Sequence, residues 1–285
     1  AVSMLRAAGF KIVLHWMPNL LGATPESDIE DFAKLWTSAE ERFGFNPDEM
    51  KIYPTQLLED TVLHDHWKQG QYKPYTTEQL IHLIANITPS IQRYCRVNRV
   101  IRDIPSNHVV EGNRRTSLRQ DIDRELSKRG KKSADIRSRE VRGQKLDVNS
   151  LKLTDFVYNP AYAEEHFLEF VDKDDRLAGF LRLSFPDKEQ LEPWRDETLP
   201  DLKDAAIIRE VHVYGQSLGV GKEQDGAAQH IGLGTQLIEH AAKLAKEAGY
   251  ANLAVISAFG TRRYYAGRGF VMGDSYMVRR LSDET

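Results

Sequence analysis

The chain has 285 residues, a formal net charge of −3, 41% hydrophobic residues and 28% charged residues. This is ordinary globular composition, enough for one large or two average domains, and the charge balance argues against a generically basic nucleic-acid binder. With no run of 18 apolar residues and a single cysteine, Cys95, neither a membrane-spanning helix nor an internal disulfide is expected, and a reducing, cytoplasmic setting fits.

The first ten residues read as the end of a helix running into a strand over 10–17, which Pro18 stops. Thr24-Pro25-Glu26-Ser27-Asp28 reads as a helix start, with a cap residue, proline at the first position and acids in the first turn. Ile29, Phe32, Ala33, Leu35 and Trp36 give that helix an apolar side. A second strand is predicted at 48–54, a helix at 77–87 and a third strand at 96–102. Strands alternating with helices predict a parallel α/β arrangement, with too few strands to close a barrel. His64-Asp65-His66 reads as solvated loop, since two ligands without a third make no metal site.

From 106 to about 149 the chain is polar and basic and reads as a linker carrying a charged helix near 121–130. Arg93 through Arg142 holds 15 Lys and Arg against 7 Asp and Glu, a balance of +8, so the remainder carries −11. Such concentration is the footprint of a polyanionic partner. Arg99, Arg102, Arg114, Arg115, Lys131, Lys132, Arg137 and Arg139 are the candidate phosphate contacts.

Strands follow at 152–158, 166–171 and 176–184, then another at 207–214. Gly232 and Gly234 open a helix whose Leu233, Leu237, Ile238, Ala241, Leu244, Ala245 and Ala248 recur at spacings of three and four, with Gly249 as its stop. A helix mouth with glycine in its first turn exposes backbone N–H groups and lets a ligand approach closely; with the macrodipole it makes a seat for a pyrophosphate. A strand at 253–257 and a short helical turn with paired Tyr264 and Tyr265 complete the set.

Strand, glycine loop, long helix, strand and tyrosine-bearing helix resemble the GNAT acetyltransferase core. The runs at 209–215 (REVHVYG), 229–234 (QHIGLG), 254–257 (AVIS) and 260–265 (GTRRYY) strongly resemble the catalytic subunit of the Elongator complex. The resemblance covers essentially the whole chain. It implies an α/β fold in three parts: the C-terminal portion of a radical-SAM partial (β/α) barrel over 1–105, the basic linker over 106–149, and an acetyl-CoA-binding GNAT-type domain over 150–285.

The implied function is modification of C5 of the wobble uridine of tRNA. In the family scheme a radical derived from SAM at a [4Fe-4S] cluster takes hydrogen from the acetyl methyl, the carbon radical adds to uridine, and thioester hydrolysis leaves a carboxymethyl group. The cluster cysteines lie upstream in the family and are absent here, so the chain is expected to be a truncated piece, inactive in full turnover. Strand ends near 51–55 and 99–105 are expected to wall the SAM site. Where several relatives hold zinc with cysteines, this sequence has Ser133, Asp135 and Ser138; no metal is expected.

For acetyl-CoA, the implied contacts are Glu210, Val211, His212 and Val213 along the strand, Gln229, Gly232, Leu233, Gly234 and Thr235 at the helix mouth, and Tyr264 and Tyr265. Tyr265 is the candidate acid toward a leaving thiolate, with Glu210 or His212 as a base. The expected partners are tRNA and acetyl-CoA, with other Elongator subunits in a eukaryotic source and stand-alone action otherwise. The rival readings are a lysine acetyltransferase and a non-catalytic acyl-CoA sensor.

Overall fold

The computed structural model describes residues 1–36, 44–101, 104–115, 117–141, 147–160, 162–187, 194–214 and 232–281. In chain order these form α1 (Val2–Ala7), β1 (Val13–Trp16), α2 (Pro25–Ala33), β2 (Glu49–Ile52), α3 (Val62–Lys68), α4 (Thr77–Ile87), β3 (Arg96–Arg99), α5 (Leu118–Lys128), α6 (Ile136–Arg139), β4 (Lys152–Tyr158), β5 (Ala163–Val171), β6 (Leu177–Pro186), α7 (Trp194–Thr198), β7 (Ala205–Val213), α8 (Leu233–Glu247), β8 (Asn252–Val255), α9 (Arg262–Ala266), β9 (Val271–Met272) and β10 (Met277–Arg280). No helix among the described residues is long and apolar enough to cross a membrane. The chain divides into two compact units, one of Val13–Ser38 and Gly44–Ser138, the other of Ala1–Ile12, Ala39–Phe43 and Arg139–Thr285.

The first unit is built on a parallel sheet of order β1-β2-β3. Capping boxes at Thr24/Ser27 and Thr76/Gln79 start α2 and α4 where the sequence predicts. Phe32 packs edge-on between Trp16 and Trp36. The segment expected as a linker is part of this unit through Ser138. The physical reason lies in α5: Leu118, Ile122 and Leu126, spaced by four, are buried, and the helix packs on α4. The stretch read as solvated loop is α3, capped by the Thr61 side chain, with His64 buried and stacked on Trp67.

The serine and aspartate cluster lies at the heart of the same unit. Asp135 is 1% exposed. Its Oδ1 accepts from the Ser133 hydroxyl at 2.7 Å and from the Ser138 hydroxyl. Its Oδ2 accepts from the N–H groups of Val97 at 3.2 Å and Arg137 at 3.1 Å. One carboxylate thus ties β3 to α6 through hydroxyl and backbone donors, with Arg119 Nη2 3.9 Å from its Oδ1. No group of three His, Cys, Asp or Glu placed to hold a metal occurs among the described residues.

The second unit is a seven-stranded sheet of order β4-β5-β6-β7-β8-β10-β9, antiparallel except where β7 meets β8. Helix α8 lays Leu233, Leu237, Ile238, Ala241 and Ala245 into its core. Residues 1–12, expected as part of the barrel, belong here instead. A helix end leaves carbonyls without intrahelical partners, and those of α1 are met from this unit. Arg195 Nε donates to Ala7 O at 3.0 Å, and the Tyr276 hydroxyl donates to Ala8 O at 2.6 Å. Gly9 follows at φ 79°, where a Cβ would come within 2.9 Å of Ile207 Cγ2, so both conformation and space require glycine.

Candidate functional site

Strand β7 has two unlike halves. Residues 205–208 pair with β6 on one side and, in parallel, with Asn252–Val255 of β8 on the other. At Arg209 the register against β6 shifts: Arg182 faces Glu210 while Leu183 faces Ile208, a bulge with Arg209 as the extra residue. Beyond it β7 keeps its β6 pairing through Val213 but has no register with β8. An edge of backbone donors and acceptors over 209–213 therefore faces the side that β8 has left, a template for an extended, amide-bearing ligand.

At the end of that edge stands the mouth of α8. Gly232 is its N-cap at φ 71°, with no side-chain cap, and the helical ladder begins with Gln236 N–H to Gly232 O at 2.9 Å. The N–H groups of Leu233, Gly234 and Thr235 are the first-turn donors ahead of that ladder. A Cβ on Gly234 would clash with the Tyr264 hydroxyl, so glycine lets α9 close against the mouth. Gln229 and its neighbours to Ile231 lie outside the described residues.

The two tyrosines have different surroundings. Tyr265 is 8% exposed, inside the core and edge-on to Phe270; burial pushes its hydroxyl up to about 12. Tyr264 is 37% exposed. Burial raises its hydroxyl too, against the Arg268 charge and a hydrogen bond with Thr235, which pull it down. Arg268, absent from the sequence-based set, organises this corner. Its guanidinium carbon lies 3.5 Å from the Tyr264 ring centroid, its Nε and Nη2 donate to Thr235 Oγ1 at 3.0 and 2.6 Å, and its Nη1 donates to Tyr264 O at 2.6 Å. The available signal was its place one helical turn after Tyr264.

On the opposite face of β7, Glu210 Oε2 accepts from Arg182 Nε at 2.9 Å and Oε1 from Lys11 Nζ at 3.1 Å. Burial favours protonation, but Arg182 and Lys11 outweigh it and hold the carboxyl below the usual range. A carboxylate so held accepts a proton less readily than a free one. His212 is exposed and lies against Phe180 and Tyr214, with ring centroids 5.8 and 4.5 Å away. Val211 and Val213 point the other way, onto the core under α8.

The basic residues do not form one set. Arg99, Arg114, Arg115, Lys131 and Lys132 are exposed in the first unit, with Arg114 donating to Val110 O at 2.7 Å and Arg115 3.5 Å from Asp121. Arg137 is half-buried on Asn98 O. Arg139 belongs to the second unit, buried against Glu169 at 2.8 Å and Asp175 at 3.3 Å. That ion pair removes Arg139 from the surface contacts. Arg102 lies outside the described residues.

Two family models match the chain: the Radical_SAM C-terminal domain over residues 47–128 and the Acetyltransferase (GNAT) family over 138–270. A "tRNA uridine(34) acetyltransferase" of Dehalococcoides mccartyi is 37% identical over 292 residues, covering 99% of this chain and 60% of the relative. The human "Elongator complex protein 3" is 36% identical, covering 98% and 50%. A solved structure of archaeal Methanocaldococcus infernus Elp3 with an N-terminal deletion superposes with a TM-score of 0.82 at 30% identity, covering 97% of this chain and 64% of that one. The chain carries a Radical_SAM C-terminal domain and a GNAT domain and is similar to Elongator catalytic subunits over nearly its whole length. The expected fold class holds: part of a radical-SAM domain followed by a GNAT domain. The chain spans half to three-fifths of the length of the curated family members it matches.

Proposed function

We propose that this chain binds acetyl-CoA and tRNA and serves modification of C5 of the wobble uridine, as a carboxymethyluridine synthase of the tRNA uridine(34) acetyltransferase kind. The observation that carries the coenzyme reading is the departure of β7 from β8 after Ile208, ending at the glycine-opened mouth of α8. Backbone groups over Glu210–Val213 hold the pantetheine amides. The N–H groups of Leu233, Gly234 and Thr235 seat the diphosphate, with Arg268 beside them as a fixed cation. Tyr264 closes this seat, and Tyr265 and His212 are the groups assigned to proton transfer. The tRNA contacts are Arg99, Arg114, Arg115, Lys131 and Lys132.

Direct acetylation of lysine needs a base to take the amine proton, and the ion-paired Glu210 is poorly suited to that. This favours the RNA reading. SAM and a [4Fe-4S] cluster are expected with the part of the family this chain does not span. One buried cysteine, Cys95, makes no thiolate triad. Other Elongator subunits are partners only in a eukaryotic source, and the site of action is the cytoplasm.

Calorimetry with acetyl-CoA and filter binding with tRNA at two salt concentrations test both halves. Saturable heat, and RNA affinity that falls steeply with salt, are expected. No heat at millimolar thioester overturns the coenzyme site, and RNA binding that is absent or indifferent to salt overturns the tRNA assignment.

A further inference from the structure

Once β7 parts from β8, it is paired with β6 alone, and side-chain contacts add to its hold. The structure supplies a clasp from two consecutive residues near the N-terminus. Phe10 O accepts from Arg209 Nη1 at 3.2 Å, and Lys11 Nζ donates to Glu210 Oε1 at 3.1 Å. Residues 10 and 11 thus grip residues 209 and 210, the bulged residue and the one after it.

From within the sheet the same two residues are gripped again. Arg209 donates to Glu165 Oε2 on β5 from Nε at 2.9 Å and Nη2 at 2.7 Å. Glu210 faces Arg182, which is 1% exposed and lies 5.2 and 5.3 Å from the ring centroids of Phe167 and Phe180. Arg182 fixes one carboxylate oxygen of Glu210. Lys11, with 35% of its side chain exposed, fixes the other from the open side. With both oxygens engaged the carboxylate plane is set, and with it the backbone at the start of the one-sided stretch.

We propose that Lys11 is a positioning residue for the coenzyme-binding strand, holding residues 209–213 in the bulged, one-sided geometry that receives the thioester's amide-bearing arm; this rests on the coenzyme reading above. Lys11 touches neither the reacting atoms nor the phosphate seat. It acts through Glu210.

The experiment compares the chain with Lys11→Met, Lys11→Arg, Glu210→Gln and the Lys11→Met/Glu210→Gln double variant, by acetyl-CoA calorimetry and by amide hydrogen exchange without coenzyme. Removing one charge-assisted bond is expected to weaken acetyl-CoA binding about tenfold and to speed exchange at 210–213 while the rest of the sheet is unchanged. Lys11→Arg restores both readouts, and the double variant binds no worse than Glu210→Gln alone. Lys11→Gln replaces the methionine variant if that one does not fold. Unchanged exchange at 210–213, or losses that add in the double variant, overturns the proposal. Faster local exchange in a protein whose wild type shows no heat with acetyl-CoA supports the clasp and overturns the coenzyme reading instead.

Discussion

Asp28 and Asp135 in one unit and Glu165 and Glu169 in the other are buried carboxylates with different kinds of hydrogen-bond partner. In the unit of the three-stranded sheet, Asp28 is met by neutral donors and Asp135 takes its hydrogen bonds from neutral donors with Arg119 Nη2 3.9 Å from its Oδ1, while Asp121 is paired with Arg124 and Arg115. Asp135 takes two hydroxyls and two backbone N–H groups, and Asp28 Oδ2 takes the Asn19 N–H at 2.9 Å and the Tyr75 hydroxyl at 3.0 Å. In the unit of the seven-stranded sheet, Glu165, Glu169 and Glu210 are met by guanidinium groups of Arg209, Arg139 and Arg182. Hydroxyl and amide donors tolerate a neutral replacement of the carboxylate. Buried ion pairs tie strands together and do not, because removing one partner strands the other charge.

The largest expected effect follows directly. Glu165→Gln leaves Arg209 and Arg6, whose side chains are 0% and 2% exposed, without their shared anion. The loss should be about 3–5 kcal/mol, read as an earlier urea transition in hydrogen exchange of β5 to β7 with the three-stranded unit unmoved. A loss under about 1 kcal/mol would erase the contrast, because it would make this pair equivalent to a surface one.

Asp135→Asn should cost less, about 1–3 kcal/mol, confined to the three-stranded unit. An amide keeps one acceptor for the N–H pair of Val97 and Arg137, and the Ser133 and Ser138 hydroxyls can rotate to accept from its NH2. Tryptophan fluorescence reports it, since Trp16, Trp36 and Trp67 all lie in this unit. A cost equal to that of Glu165→Gln would show that hydroxyl donors and guanidinium groups hold a buried carboxylate alike.

How far the sequence disclosed these arrangements depends on the range of the contacts. Helix α4 was legible end to end, because its capping box and apolar face are local. Strand β4 was legible too, from its bounds of β-favouring residues. The glycine mouth of α8 was legible because Gly232 and Gly234 do jobs no other residue does there. The contacts of residues 1–12 are not legible because they are made to Arg195, Tyr276 and Arg209, some two hundred residues away. The bulge at Arg209, which opens the site, leaves no mark in composition or period. Arg139 read as a surface cation because Glu169 and Asp175 meet it only in the fold.

The next effect in size is the response to acid, and its sign differs between the units. Glu210 is held below its unfolded value of 4.5, as Asp172 and Asp201 are below 3.8. A lowered carboxyl contributes stability that is present above the unfolded pKa and is lost as pH falls through the folded one. Asp28 is raised above 3.8, mainly by burial, so its contribution is present below that value and is lost as pH rises through the folded pKa. Between pH 5 and 3 the seven-stranded unit should lose stability, with a slope of up to about 1.4 kcal/mol per pH unit for each group. Asp28 offsets the loss in the other unit, where Glu125, paired on the surface of α5, adds only a screened contribution. His166 adds an alkaline limb to the seven-stranded unit. Burial lowers its pKa, but Asp155 at 2.7 Å and Glu164 at 3.2 Å outweigh that and raise it above 6.5, so its contribution is lost as pH climbs past the folded value. Exchange of the two sheets measured in parallel reads both limbs, and equal slopes would refute the contrast.

The smallest effect sharpens the comparison most. Asp28→Asn keeps a carbonyl oxygen for the Asn19 N–H and the Tyr75 hydroxyl, and it removes a charge that burial already disfavours. Near pH 7 the change should be within about 1 kcal/mol of zero. The stabilising response of this unit between pH 5 and 3 should flatten, because the carboxyl whose pKa is raised by burial is gone. The tyrosines report the same event. Tyr72 and Tyr75 are both raised by burial first and by the Asp28 charge next, Tyr72 to about 12. In Asp28→Asn the phenol of Tyr72 should therefore ionise at lower pH, read from its absorbance near 295 nm. If Asp28→Asn instead costs as much as Glu165→Gln and leaves the Tyr72 titration unmoved, the carboxylate of Asp28 is compensated as an ion pair would be, and neutral donors do not explain how this unit is held.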